Sequence, residues 1–254
     1  MTGTRTQASG LSAQERTELL QLVRHLAEHD IAPRAALLDT DPGLTPDPDP
    51  RSAHAADEAR AQCWRQLVEA GLDALLPAAE DSAALLAAIE ELAVADGGIA
   101  LARLLSNLAA VVTELPTGGG RWALVPAGSS VVADGGLLRG QLNCALGAWG
   151  ADGLVLLTGG RQPMAYRVPS GVGGLSVERD RAQLGLRGAP AARLTLRDVP
   201  AAAEPVGDEL ACLLWAGVAA LSRGLARGAY RMALDYGELG WQGGRPGLEQ
   251  DRVS

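Results

Sequence analysis

The sequence predicts an α+β protein: an N-terminal helical domain, a small antiparallel β-domain, and a C-terminal helical region. Three observations carry this. Apolar residues recur at helical spacing through about residue 112, between capping signals. At Thr117-Gly118-Gly119-Gly120 the texture changes to short apolar runs broken by Gly, Pro and Asp, which suits antiparallel strands. From Glu209 to Tyr236 the chain returns to one long apolar-periodic helix. The expected boundaries are 1–117, 118–207 and 208–254.

The first helix opens at Ser12-Ala13-Gln14-Glu15, where Ser and the Glu three residues on have capping-box spacing. Leu19, Val23 and Leu26 share one face, and Pro33 limits an unbroken run. Residues 40–52, rich in Pro and Asp, read as a surface loop. A second helix covers about Ala53 to Ala70, with Trp64, Leu67 and Val68 inward and Gly71 as its stop. Ser82 is a candidate cap for a third helix through Leu92. The Asp96-Gly97-Gly98 break precedes a fourth, about Ile99 to Val112. In the middle, Trp122–Val125, Leu154–Thr158 and Arg193–Leu196 are strand-like. The Gly-rich Gly240–Gly247 stretch ends the last helix.

A chain of 254 residues that is 47% hydrophobic can bury a sizeable core. Its net charge of −8 argues against nucleic acid and anionic membrane as main partners. All 22 basic residues are Arg. Cys63, Cys144 and Cys212 are odd in number and far apart, which suggests neither a zinc site nor a disulfide framework. The N-terminus has no apolar segment of signal-peptide type, and no run of about 18 uninterrupted apolar residues occurs. The expectation is a protein of a reducing cytoplasm that does not span a membrane.

Common catalytic motifs are not met. A P-loop needs Gly-Lys-Ser/Thr, and Lys is absent. Gly171-Val172-Gly173-Gly174 lacks the last glycine of GxGxxG and reads as a turn. His25 and His29 stand four apart on one helix without an HExxH pattern, and read as a solvated face. Gly128-Ser129-Ser130 reads as a turn after a strand. Glu90, Glu91 and Asp96 could do acid–base work, but a solvated helix face is the plainer reading.

Three blocks, in order along almost the whole chain, resemble the acyl-CoA dehydrogenase family. The first comprises Ile31-Ala32-Pro33-Arg34-Ala35 with Asp39, Trp64 and Leu67 with Ala70-Gly71-Leu72 and Pro77, and Ile89–Ala93 with Asp96–Ala100. The second is Leu184–Gly188 with Leu194, Leu196, Asp198-Val199-Pro200 and Gly207. The third is Ala219–Ala229 with Ala233–Tyr236. The resemblance implies a cytoplasmic, oligomeric FAD flavoprotein of lipid metabolism. Such an oxidoreductase removes a proton and a hydride from the α and β carbons of an acyl-CoA or acyl-carrier thioester, with a carboxylate as base.

By the same resemblance, Pro126, Gly128 and Ser129 match the family's flavin loop, while Leu124 and Val125 replace its Thr-Glu. Gly140, Ala148, Ala151 and Asp152 match the next strand, but Cys144 and Leu146 stand where a ring-packing Trp and a hydrogen-bonding Thr are usual. Gly244, Arg245 and Pro246 match a late block in which Gly240 replaces an Arg and Gly243 a Phe. The usual base lies beyond Ser254 or near Leu213–Leu214, where no acid stands; Glu209, one turn away, is the candidate for a displaced base, though an acid at the helix N-terminus favouring the dipole is the plainer reading. Two functions follow. One is a flavoprotein oxidoreductase with a partner subunit completing its site, the isolated chain being inactive. The other is a non-catalytic structural subunit or remnant pairing, as a homo-oligomer or with a full-length homologue, through the apolar face of Ala211, Leu214, Val218, Leu221 and Leu225.

Overall fold

The computed structural model describes residues 10–39, 50–73, 75, 81–112, 120–159, 163–180, 183–239, 241–242 and 245–246. The helices are α1 (Ala13–Leu26), α2 (Ala35–Leu38), α3 (Pro50–Glu69), α4 (Ser82–Ala95), α5 (Gly97–Val112) and α6 (Asp208–Leu239). The strands are β1 (Trp122–Gly128), β2 (Val131–Asp134), β3 (Leu137–Ala145), β4 (Gly153–Thr158), β5 (Met164–Pro169), β6 (Leu175–Arg179), β7 (Ala192–Pro200), β8 (Ala203–Pro205), β9 (Trp241–Gln242) and β10 (Arg245–Pro246). The helical, β, helical order is the expected one.

Local chemistry sets the helix ends. Ser12 accepts from the Glu15 amide while Glu15 closes the capping box on the Ser12 amide. Pro33 does not stop the helical path. The chain passes through a π-turn at Ala27–Ile31 and a 3-10 turn at Ala32–Arg34 into α2, because a proline in a first turn forfeits no hydrogen bond. Helix α3 begins at Pro50, inside the stretch read as loop, since Pro is preorganised for a first helical position. Gly71, at φ +74°, ends it. Asp81, not Ser82, caps α4 by accepting from the Ala84 amide. Gly97 and Gly98 lie inside α5, whose cap is Asp96 accepting from the Ile99 amide at 2.7 Å. The expected residues Pro77, Thr117–Gly119, Gly240, Gly243, Gly244 and Gly247 lie outside the described ones.

Two four-stranded sheets follow, in the orders β1-β4-β5-β8 and β2-β3-β7-β6. Their pairings are antiparallel except β1 with β4, which run parallel. The expected antiparallel β-domain is present, with this one parallel pair added. Trp122-Ala123-Leu124-Val125 is buried without a break, as fits a strand covered on both faces. Alternate side chains divide between two cores. Trp122, Leu124 and Val155 join the helical core of α4, α5 and α6, while Ala123, Val125, Leu154 and Leu156 face the second sheet.

Helix α6 lies against α4 and α5 by a stripe of small residues. A methyl group on Gly217 would stand 2.5 Å from Leu104, and one on Gly228 2.7 Å from the Val94 carbonyl, so the backbones are close. Arg227 bridges α6 to α4 by reaching Glu90 at 2.6 Å and Glu91 at 3.2 Å, and Arg24 of α1 reaches Glu91 at 3.0 Å. Glu90 and Glu91 are therefore not a solvated face: apolar helices pack beside them and arginines neutralise them. His25 and His29 stack ring on ring at 4.3 Å, with His29 Nδ1 beside the His25 carbonyl. Residues Asp208–Gly237 are also long and apolar enough to cross a membrane by length and composition, a property the uninterrupted-run criterion missed.

Candidate functional site

The first sheet brings the proposed cofactor loop and the proposed base to one end. Gly128 pairs with Thr158, Thr158 with Met164, and Met164 with Pro205, so these four form a row across the strand ends. At one corner the chain turns through Gly128-Ser129-Ser130, where the Ser130 amide donates to the Ala127 carbonyl. Gly128 adopts φ +54°, with nothing within 4 Å of a Cβ placed on it. The Gly159 amide donates to the Gly128 carbonyl at 2.8 Å and anchors the corner. Pro126, Gly128, Ser129 and Ser130 are all exposed.

At the other corner the Val206 amide donates to the Pro163 carbonyl and α6 begins. Asp208 and Glu209 occupy its first turn, where the helix dipole favours negative charge. Glu209 is exposed. Three inter-strand spacings separate the corners, on the order of 14 Å. The loop after Gly128 and the start of α6 after Pro205 thus stand at opposite corners of this sheet end.

The positions at which the resemblance puts flavin-ring contacts are apolar. Leu124 is 0% exposed within the helical core. Leu146 packs against the same core, and Cys144 is exposed. Period-two alternation forces this for Leu124, because its neighbours Ala123 and Val125 already face the second sheet. A flavin ring held by these side chains does not fit: Leu124 has no polar atom and no open surface. What stays open is the exposed Ser129–Ser130 corner, with its two hydroxyls. Asp152 has a structural part: its carboxylate accepts from the Arg121 amide, and its amide donates to the Arg121 carbonyl, each at 2.7 Å. Leu213 and Leu214, near the alternative base position, pack partly buried on the core. Cavities of about 230, 320 and 330 Å³ among the described residues are lined by other groups, the first by Arg24, Glu28, Glu91 and Arg231.

A buried cluster escaped the sequence reading. The guanidinium of Arg103, on α5, lies 3.8 Å from the ring centre of Trp64, and that of Arg121 lies 5.9 Å from the same ring. Burial pushes Arg103 down to about 10, and burial also lowers Arg121. Asn107 donates to the Leu72 and Arg103 carbonyls. No local signal marked it: Arg103, Ser106 and Asn107 stand at i, i+3 and i+4 on one helical face, the pattern of a solvated stripe, yet all three are buried.

No protein-family model matches this sequence, and no curated protein matches it. Solved structures do match in fold. Butyryl-CoA dehydrogenase from Megasphaera elsdenii superposes with a TM-score of 0.70 at 18% identity, covering 96% of this chain and 74% of that one. A chain of the electron transferring flavoprotein of Acidaminococcus fermentans gives 0.70 at 18% identity, covering 100% of this chain and 74% of that one. A glutaryl-CoA dehydrogenase from Mycobacterium smegmatis in complex with FADH2 gives 0.71 at 14% identity, over 96% of this chain and 70% of that one. Matched over nearly its whole length, the chain has the fold of the acyl-CoA dehydrogenases.

Proposed function

We propose that this chain is a subunit of an acyl-CoA dehydrogenase-like flavoprotein oxidoreductase, acting on an acyl thioester within an assembly. A partner chain supplies the ring contacts and the base. The observation that carries this reading is the fold, matched over nearly the whole chain, combined with the burial of Leu124 and the partial burial of Leu146 where a flavin ring would need polar partners. Pro126, Gly128 and Ser129 are this chain's own contribution to a cofactor site, through the Ser129 hydroxyl and the open backbone of the turn. FAD supplies the hydride-accepting chemistry when bound. The assembly is cytoplasmic, and the units 1–117, 118–207 and 208–254 are its structural modules.

A second reading, a purely structural subunit, is favoured by the absence of an acid at Leu213 and Leu214. The two separate in one experiment. The chain is co-expressed with a complete homologue, and turnover of a panel of acyl-CoA lengths is followed with an artificial electron acceptor. Altered turnover or chain-length preference, reversed by Ser129→Ala, supports the first reading. Unchanged turnover in a stable complex supports the second, and failure to form any complex defeats both.

A further inference from the structure

Helix α6 outruns the helix it packs on. Leu221, expected on an open face, turns inward against the core. Gly224 and Gly228 hold the α6 backbone on α4, where a methyl group on each would stand 2.3 Å from the Glu90 carbonyl and 2.7 Å from the Val94 carbonyl. Helix α4 then stops at Ala95, whereas α6 runs on to Leu239, about three turns past Gly228. Beside this overhang lies a cavity of about 230 Å³, and its third wall is the π-turn that follows α1. There the Ala32 amide donates to the Ala27 carbonyl, and both residues line the cavity. Such turns are rare within helices and recur at functional sites. Here the turn presents alanines at its two ends and leaves the space open.

We propose that this cavity binds a small amphipathic zwitterion of the free α-amino acid class. Its floor is apolar, from Ala27, Val94 and Ala95, with Met232 at the lip. Its charges balance. Arg24 and Arg231 line it together with Glu28, Glu91 and Asp235, and Arg227, bonded to Glu91, brings the sum to zero. Most of these charges are already engaged. Arg24 holds Glu91 at 3.0 Å and is also attracted by Glu28, and Arg227 reaches both Glu90 and Glu91. Arg231 and Asp235 are left. Both are exposed and one turn apart, in the less favourable order for an i,i+4 pair, and no ion pair joins either among the described residues. The Arg231 guanidinium suits a carboxylate, while Asp235, with Glu28 from another wall, suits an ammonium. A plain anion or cation would leave one of these charges unmatched, so a balanced site favours a dipolar ligand. The volume is below the roughly 300–1,000 Å³ of sites for drug-sized ligands. It suits a molecule of amino-acid size, not an acyl-CoA, and none of its lining residues belongs to the sheet end described above.

The probe is L-leucine, whose branched side chain suits a floor of alanine and valine. Calorimetric titration of the full chain is expected to give a Kd below about 1 mM, with 3-methylbutylamine and 4-methylpentanoate, which each lack one of the two charges, weaker by about tenfold or more. Methyl-labelled methionine reads the position: of the three methionines, the Met232 signal should shift with leucine and the Met164 signal should not. Asp235→Asn and Arg231→Gln each remove one exposed charge, and each should weaken leucine binding about tenfold with circular dichroism unchanged. Arg231→Gln should leave the binding of 3-methylbutylamine as it was. No leucine binding at about 5 mM, equal binding of both single-charge analogues, or indifference to both substitutions would each overturn the proposal.

Discussion

Arg103→Met is expected to stabilise the protein. Arg103 is 1% exposed, and its Nε, Nη1 and Nη2 make no hydrogen bond among the described residues. Burying a charge in this way carries an effective penalty of several kcal/mol. A pKa held at about 10 instead of 12.5 gives a similar scale, roughly 3 kcal/mol disfavouring the cation. That scale already includes the attraction of Asp73, and the 3.8 Å stack on Trp64 offsets about 2 kcal/mol of it when desolvated. The cation therefore sits at a net cost on the order of 1–3 kcal/mol. Methionine has nearly the same reach, fills the space without a charge, and keeps a sulfur–aromatic contact of about 0.3–1.5 kcal/mol. The sign with pH agrees. A cation with a lowered folded pKa carries its full cost below about 10, and is relieved only as pH rises through that value. Urea melts at neutral pH should show Arg103→Met more stable by about 1–3 kcal/mol, or a few degrees in Tm. Destabilisation beyond about 1 kcal/mol would refute the reasoning and mean that the guanidinium has an anionic partner.

Three further outcomes are expected. Gly98→Ala places a methyl 2.5 Å from the Gly188 amide nitrogen, so urea melts should show a loss of about 1–3 kcal/mol or more, whereas Gly185→Ala, with nothing within 4 Å, should stay within about 0.5 kcal/mol. Burial raises the Asp96 carboxyl above its ordinary 3.8, so its contribution is fully present below that value and is lost as pH rises through the folded pKa. Asp96→Asn keeps the cap, and its stability relative to the parent should improve as pH is raised from about 4 to 7 in a series of melts. Burial pushes the Cys63 thiol up to about 11, so a thiol reagent near pH 8 should label the exposed Cys144 and Cys212 in the native protein and reach Cys63 only after denaturation.

The sequence made the fold legible because its signals were local and agreed with one another. The Ser12 capping box, the Gly71 stop and the long periodic run of α6 each fix backbone geometry through neighbours in the chain. What escaped depended on contacts between distant segments. The parallel pairing of β1 with β4 has no local signature, for a strand buried on both faces reads as a plain apolar run. Glu90 and Glu91 looked solvated because their partners, Arg24 and Arg227, come from helices distant in sequence. The orientation of α6 was misjudged at Leu221, since a helix apolar on several sides does not say which face packs inward. Of the candidate site, Gly128-Ser129-Ser130 was legible as a turn, and the departures at Leu124 and Leu146 as lost polar contacts. That Leu124 belongs to the helical core, and that three inter-strand spacings separate Gly128 from Pro205, follows only from the packing and the sheet register.

The central claim is that this chain has the acyl-CoA dehydrogenase fold but does not hold a flavin without a partner. The visible absorption spectrum of the purified protein tests it most directly, recorded for the chain alone and for its complex with a co-expressed complete homologue, both from a flavin-rich host. A colourless lone chain and a flavin band in the complex are the expected results. A flavin band at stoichiometric intensity in the lone chain, with acyl-CoA turnover abolished by Glu209→Gln, would contradict it.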